Sequence, residues 1–288
     1  MKNINLETAL DDDVFENELR NIKIATIIAC RLKSTRLPKK ALLKIGDLSS
    51  IELCIKNALK FKHVNYTVLA TSNLKDDAEL KDHTYRKDVL FYAGDPEDVI
   101  RRYLDVVEKY NIDVIVRVTG DMPYVSDDIY QVLLKSHLEN SADYTVAKNF
   151  AIGTNIAIIK ADALRRINKL FPTAEYSEYM AFYFRNNPSI FKLNCVDLPN
   201  ELIRDYRLTL DYKEDLEMFR VIEAYFKTEK LEFNIKRLFE FLDNNPHVVN
   251  INGNLKTRTK SDNELVEKLN KATTIISRNI ASTERSEG

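Results

Sequence analysis

Three short stretches of this sequence collect the residue types that handle phosphate. In IATIIACRLKSTRLPKKALLKI (24–45) an apolar run empties into six cations: Arg31, Lys33, Arg36, Lys39, Lys40 and Lys44. Guanidinium forks and ammonium groups neutralise polyphosphate oxygens. No Walker A loop and no dinucleotide glycine fingerprint is present. Gly46 is the only nearby glycine, so phosphates must be met by side chains, chiefly those of Arg31, Arg36 and Lys40. A solvated basic turn fits the same charges. In VIVRVTGDMPYV (114–125) an apolar strand ends at Val118 and runs into Thr119-Gly120-Asp121. A carboxylate at that place can hold Mg²⁺ against substrate phosphates, or it can cap a turn. RLTLDYKEDLEMF (207–219) repeats the pattern, with Leu208 to Leu210 ending in Asp211. Asp211 fits a metal ligand, and it fits equally the N-cap of the next helix, with Glu214 completing a capping box. If the two aspartates converge beside the basic loop, the result is a nucleotidyl-transfer site.

Such residues need a frame, and the hydrophobic pattern supplies one. IATIIA (24–29), YTVLAT (66–71), VLFYA (89–93) and DVIVRV (113–118) read as buried strands. Helical spacing fills 49–61, 96–110 and 126–138, with start signals at Ser49 or Ser50, at Asp95 before Pro96, and at Ser126. Strands alternating with helices predict βαβ units and an α/β fold around a parallel sheet. In such sheets ligands bind at the carboxyl ends of the strands, near a topological switch point. Residues 143–206 read as an inserted mixed α+β subdomain, with strands DYTVA, NIAII and FKLNCVDL and helices over 162–170 and 175–184. RLTL (207–210) reads as a returning strand, followed by amphipathic helices over 214–226 and 235–245. An acidic extension (1–21) precedes this 22–254 domain, and a polar helix and tail (255–288) follow it.

Composition narrows the function classes. With 43 basic and 44 acidic residues the chain has no global attraction for nucleic acid or membranes, so a polyanion site must be local. No apolar run approaches the ~20 residues of a membrane span. The N-terminus lacks an apolar signal core, which reads as cytoplasmic. Cys30, Cys54 and Cys195 are far apart and the four histidines are scattered, which argues against structural zinc. Cys30, beside the basic loop, could serve as a nucleophile, but with no histidine nearby in the sequence it reads as an ordinary small buried residue.

The stretches, in their order, resemble the cytidylyltransferases that activate sugars as CMP or CDP derivatives. The likeness is closest to the spore-coat polysaccharide SpsF group, with acylneuraminate and Kdo cytidylyltransferases more distant. It is carried by Arg31, Ser34, Arg36, Leu37, Pro38 and Lys40 in the loop, and by ATSNLKDD (70–77), GDPEDVIRRY (94–103), VIVRVTGDMP (114–123), RLTLDYKEDLE (207–217) and NNPHVVNIN (244–252). The resemblance implies an α/β, Rossmann-like (GT-A-type) nucleotidyltransferase fold with a mostly parallel sheet. It also implies Mg²⁺-dependent transfer of CMP from CTP to a sugar or sugar-like acid, pyrophosphate release and a homodimer formed through the inserted subdomain. By motif, Arg31, Ser34, Arg36 and Lys40 would hold the triphosphate, with Ala29, Cys30, Ala70, Thr71, Ser72, Arg102 and Gly120 completing the nucleotide site. Arg31, Lys40 and Asp121 would serve the chemistry, Asp121 and Asp211 would ligate the metal, and Arg117, Asn155 and Glu178 would meet the acceptor. A nucleotide-binding protein with a degenerate sugar site and a GT-A glycosyltransferase are the alternatives.

Two departures from the family pattern stand out. The residue before Lys40, commonly glycine in the group, is Lys39. The family's Gly-Leu-Asp-Val-Glu becomes Gly153-Thr154-Asn155-Ile156-Ala157, so two carboxylates are replaced.

Overall fold

β-Branched, doubly buried strands build the centre of this protein. A computed structural model describes residues 19–256 and 262–275. The remaining parts of the expected N-terminal extension and C-terminal tail lie outside the described residues. Strands β1 (Ile24–Ala29), β4 (Tyr66–Ser72), β5 (Leu90–Gly94), β6 (Val114–Thr119), β7 (Tyr144–Ala147), β8 (Ala157–Lys160) and β9 (Leu193–Val196) form one seven-stranded sheet in the order β5-β4-β1-β6-β8-β7-β9. The pairs β5–β4, β4–β1, β1–β6 and β7–β9 are parallel, whereas β8 runs antiparallel to both neighbours. A small hairpin, β2 (Lys44–Ile45) and β3 (Leu48–Ser49), turns at Gly46, whose φ of 65° suits a residue without Cβ. The sheet is thus mostly parallel and belongs to an α/β fold, as the alternation of strands and helices predicts. Residues 143–206 give their three strands to the same sheet.

Helices cover both faces. On one side lie α1 (Ser50–Ala58), α3 (Asp127–Glu139), α6 (Lys213–Thr228) and α7 (Ile235–Asn244), packed on Ile24 and Ile28. On the other lie α2 (Val99–Tyr110), α4 (Ala161–Leu170) and α5 (Ala181–Arg185), packed on Ala25 and Ile27. Alternation of side chains along β1 therefore feeds two cores, as expected for a strand buried on both faces. The C-terminal helix α8 (Asn263–Thr273) docks on the α5 side, where Asn187 Nδ2 donates to the Thr273 carbonyl at 2.7 Å. Helix α1 starts as its sequence predicts: Ser49 and Glu52 form a reciprocal capping box.

Four expected elements differ. Helix α2 starts at Val99, not after Asp95, because the Asp95 carboxylate is spent on a turn, accepting from the backbone of Glu97 and Asp98 at 2.8 Å each. Asp98 then caps the helix, accepting from Arg101 N at 2.8 Å. The aromatic helix over 175–184 breaks into a 3₁₀ turn, Ser177–Tyr179, and the short α5. Ser177 Oγ accepts from Val99 N at 2.7 Å and donates to the Glu97 carbonyl at 2.9 Å, so a tertiary contact overrides the periodicity. RLTL is no sheet strand; Arg207 makes one bridge to Ile152, and the rest runs extended past Asp121. Finally, Asp211 is not the helix cap. Tyr212 is the N-cap, and Asp215, the third residue of the helix, closes the cap with its side chain, Oδ2 accepting from Asp211 N at 2.8 Å and Tyr212 N at 2.9 Å.

Candidate active site

Register places the three stretches side by side. Ala29 pairs with Ala70 on one flank and with Thr119 on the other, so β1 and β6 end level while β4 runs two residues further, to Ser72. The order β4-β1-β6 means the chain leaves β1 for opposite sides, and the gap between β1 and β6 is the switch point where ligands bind. The ladder continues past the strand ends: Cys30 N donates to the Ala70 carbonyl at 3.1 Å and Gly120 N to the Ala29 carbonyl at 2.8 Å. Gly120 is required by close approach, since a Cβ there would lie 2.8 Å from both Cβ and Sγ of Cys30. Burial pushes the Cys30 thiol up to about 12, with the Asp121 charge adding to it. That holds the sulfur as a neutral thiol and removes it as a nucleophile.

The extended 207–211 segment delivers Asp211 to Asp121. Leu210 N donates to the Asp121 carbonyl at 2.9 Å, and Thr209 Oγ1 reaches the same oxygen at 3.3 Å. Lys40 joins the pair. Its Nζ lies 2.9 Å from Asp121 Oδ2, 2.9 Å from Asp211 Oδ1 and 2.7 Å from the Leu210 carbonyl. Arg36 Nη2 donates to the same Asp211 oxygen at 2.7 Å, and its guanidinium stands over the Tyr212 ring at 5.1 Å. Thr119 Oγ1 donates to Asp121 Oδ1 at 2.7 Å. Burial opposes the charge on Lys40, but Asp121 and Asp211 outweigh it and raise the ammonium's pKa above its ordinary value. Burial likewise opposes the Asp121 charge, yet Lys40 and the hydrogen bonds from Lys40 and Thr119 hold this carboxyl below its usual range. Both groups are therefore ionised at neutral pH.

Behind Asp211 stands a buried network that composition and spacing did not reveal. Arg207 donates from Nε to Asp215 Oδ1 at 2.8 Å and from Nη2 to Asp215 Oδ2 at 3.0 Å and Asp211 Oδ2 at 3.1 Å. Asn252 Nδ2 closes the ring, reaching Asp215 Oδ1 at 2.9 Å and the Arg207 carbonyl at 3.0 Å. The i, i+4, i+8 spacing of Arg207, Asp211 and Asp215 was the available signal, although it resembles an ordinary surface helix pattern.

The other wall is formed by Arg31 and Arg102. Arg31 Nη1 donates to the Pro96 carbonyl at 2.7 Å. Arg102, 1% exposed, holds the Asp95 carbonyl through Nε at 3.1 Å and Nη2 at 2.6 Å, so it fastens the 94–98 turn from inside. Between the walls, buried Asp77 accepts from Leu32 N at 2.7 Å and from Ser72 Oγ, tying the basic loop to the end of β4. Thr71 is wholly buried, and its Oγ1 has no hydrogen-bond partner. Ser34 Oγ accepts from Leu37 N at 3.4 Å, shaping the loop. Asn155 Oδ1 accepts from Gly153 N at 3.1 Å in a turn where Gly153 has φ of 97°. Arg117 Nη2 donates to the Glu178 carbonyl at 3.0 Å, which leaves the Glu178 carboxylate exposed.

Lys39 acquires an explanation. It adopts φ 51° and ψ 31°, the left-handed region that glycine enters without a Cβ penalty. The glycine common at this position in the resembling group is what that backbone favours. Here a lysine holds it, with Nζ 2.8 Å from Glu79 Oε2.

Two carboxylates and a carbonyl converging on one cation form a hard-oxygen set that suits Mg²⁺. Among the described residues no group of three or more His, Cys, Asp or Glu side chains converges. Among the described residues no helix is long and apolar enough to cross a membrane.

Comparison with known proteins points the same way. A sequence model of the cytidylyltransferase family matches residues 25–240. An uncharacterized protein of Methanocaldococcus jannaschii is 32% identical over 85% of this chain and 100% of its own length. The spore coat polysaccharide biosynthesis protein SpsF of Bacillus subtilis is 30% identical over 77% of this chain and 95% of its own. The solved structure of a cytidylyltransferase from Leptospira borgpetersenii superimposes with a TM-score of 0.72 at 29% identity, covering 82% of this chain and 99% of that one.

Proposed function

The chain belongs to the cytidylyltransferase family, and from that premise we propose that it transfers CMP from CTP to a sugar or sugar-like acid for surface polysaccharide or glycoconjugate synthesis. An acceptor oxygen attacks the α-phosphorus, the new O–P bond forms as the bond to the β-phosphate breaks, pyrophosphate leaves, and the acceptor proton passes to solvent. The observation that carries this reading is the meeting of Asp121 and Asp211 on Lys40 where β1, β4 and β6 end. When bound, Mg²⁺ would supply Lewis-acid neutralisation of the phosphate oxygens, with Asp121 and Asp211 as its protein ligands. Arg31, Ser34, Arg36 and Lys40 take the triphosphate in this proposal. The ends of the strands at Ala29, Cys30, Ala70, Thr71, Ser72 and Gly120 frame the nucleoside, and Arg102 acts through the 94–98 turn. Arg117, Asn155 and Glu178 face the acceptor. The Bacillus relative's role in spore coat polysaccharide biosynthesis supports a sugar acceptor. We extend the proposal to a homodimer formed through residues 143–206, where β9 lies at the sheet edge.

The test is pyrophosphatase-coupled phosphate release with CTP, Mg²⁺ and a panel of sugars and sugar acids. Asp121→Ala and Asp211→Asn should each lower kcat by about 100-fold or more. Full activity in both removes the metal-ligand assignment. Release of free nucleotide from a preformed nucleotide sugar would instead identify a glycosyltransferase.

A further inference from the structure

An ammonium has three N–H donors and no acceptor, and all three donors of Lys40 are matched by oxygens: Asp121 Oδ2, Asp211 Oδ1 and the Leu210 carbonyl. Those three oxygens are also the set that suits the divalent cation of the proposed reaction. The lysine side chain is only 16% exposed, so the ammonium occupies this position rather than brushing past it. A metal held by both carboxylates and an ammonium at the same oxygens would repel strongly at such a separation. The two cannot share the site. We propose that Lys40 is the resident counter-ion of the metal site, and that a divalent cation binds both aspartates only when Lys40 leaves them for the polyphosphate of the nucleotide. This rests on the cytidylyltransferase reading for the identity of the incoming polyphosphate.

Local charge supports an exchange rather than simple addition. The cations Arg36, Lys40 and Arg207 face the carboxylates Asp121, Asp211 and Asp215, so the cluster is already balanced. Adding a bare divalent ion to a balanced, partly buried cluster leaves excess charge in a poorly screened place. A metal that arrives together with a nucleoside triphosphate brings more negative than positive charge, and that excess anion is what Lys40 can follow. Lys40 is placed to make the move, since it opens the 3₁₀ turn directly after Lys39 at the end of the basic loop. Its role thereby couples the two ligands: nucleotide draws the plug out and metal takes the vacated oxygens.

Binding of Mn²⁺ alone, followed by loss of the free-ion signal in electron paramagnetic resonance, tests this on the full chain without turnover. Lys40→Met should bind Mn²⁺ about tenfold more tightly than the native protein, or better, because the competing cation is gone while both carboxylates remain. Lys40→Arg, which keeps a cation there, should stay as weak as native. Circular dichroism melting confirms that each variant is folded, and a matching rise of the Lys40→Met melting temperature with Mn²⁺ gives a second readout. Equal Mn²⁺ affinity in native and Lys40→Met protein overturns the proposal. So does tight Mn²⁺ binding by native protein without nucleotide. A separate titration with CTP by calorimetry tests the reading beneath it: absence of CTP binding to native protein rejects the nucleotide site, whereas normal CTP binding with equal Mn²⁺ affinities rejects only the exchange.

Discussion

Replacing Asp215 with alanine probes the buried scaffold behind the candidate metal ligand. Asp215 has a side chain 0% exposed and pairs with an Arg207 side chain 4% exposed. It accepts five hydrogen bonds: two from Arg207, one from Asn252, and one each from the backbone of Asp211 and Tyr212. Removing one partner of a buried pair leaves an uncompensated charge and costs about 3–5 kcal/mol. Arg207 keeps one bond, to Asp211 Oδ2, so the lower end of that range, about 3 kcal/mol, is expected here. Against a total stability of about 5–15 kcal/mol this is a large fraction. In urea it shifts the midpoint by about 1 M for a slope near 3 kcal/mol/M. A companion double variant, Arg207→Met with Asp215→Leu, removes both charges at similar volume and should recover most of the stability. Its CTP-dependent turnover should not recover, because Asp211 would still lack its backbone and side-chain tethers. A loss below about 1 kcal/mol in Asp215→Ala would refute the claim that this pair is desolvated and structural. Full turnover in the stable double variant would refute the claim that it positions Asp211.

Three further outcomes follow from particular contacts. Gly120→Ala should destabilise by about 1–3 kcal/mol through overpacking on Cys30, and Cys30→Gly in the same chain should restore the loss in thermal melts. Lys39→Gly should raise the denaturation midpoint and Lys39→Val should lower it, because the left-handed φ of 51° is free for glycine and strained for a β-branched residue. His137, buried with Nδ1 2.8 Å from Thr145 Oγ1, has its pKa lowered by burial from 6.5 to about 4. A group depressed in the folded state contributes stability above its unfolded pKa and loses it in acid. Native protein should therefore lose up to roughly 3 kcal/mol between pH 6.5 and pH 4 that His137→Gln does not lose, as measured by urea unfolding at each pH.

The central strands β1, β4 and β6 were legible because they are buried on both faces and read as continuous apolar runs, and the basic loop followed from where β1 ends. Helix α1 was legible because its capping box is local. What stayed hidden is what tertiary contacts decide. RLTL has the composition of a strand, but its backbone serves as a strap that brings Leu210 to the Asp121 carbonyl. Asp211 matches an N-cap in sequence, and only the buried contacts of Asp215 with Arg207 and Asn252 show why the cap falls at Tyr212 and leaves Asp211 facing Lys40. Arg102 reads as one more cation for a nucleotide, and its burial under the 94–98 turn is invisible in the residue pattern. Lys39 is the clearest case. Its chemistry is that of a loop cation, while its backbone angle belongs to the glycine that the family pattern prefers.

A consequence for affinity follows from how these cations are held. Arg36 and Lys40 already face Asp211 at 2.7 and 2.9 Å, so neither can offer its full attraction to an incoming phosphate. What each contributes is the difference between its carboxylate partner and its phosphate partner, and that difference is much smaller than either interaction alone. The basic loop is therefore poorly suited to gathering anions indiscriminately, in keeping with a chain whose formal charge is near zero. Selectivity has to come from a ligand that satisfies the released carboxylates as well as the released cations. A free phosphate satisfies only the cations, and a free divalent ion only the carboxylates. Under the proposed exchange, a nucleoside triphosphate carrying its metal would satisfy both at once, so the pairing of Lys40 with Asp121 and Asp211 would favour that ligand over its separate parts.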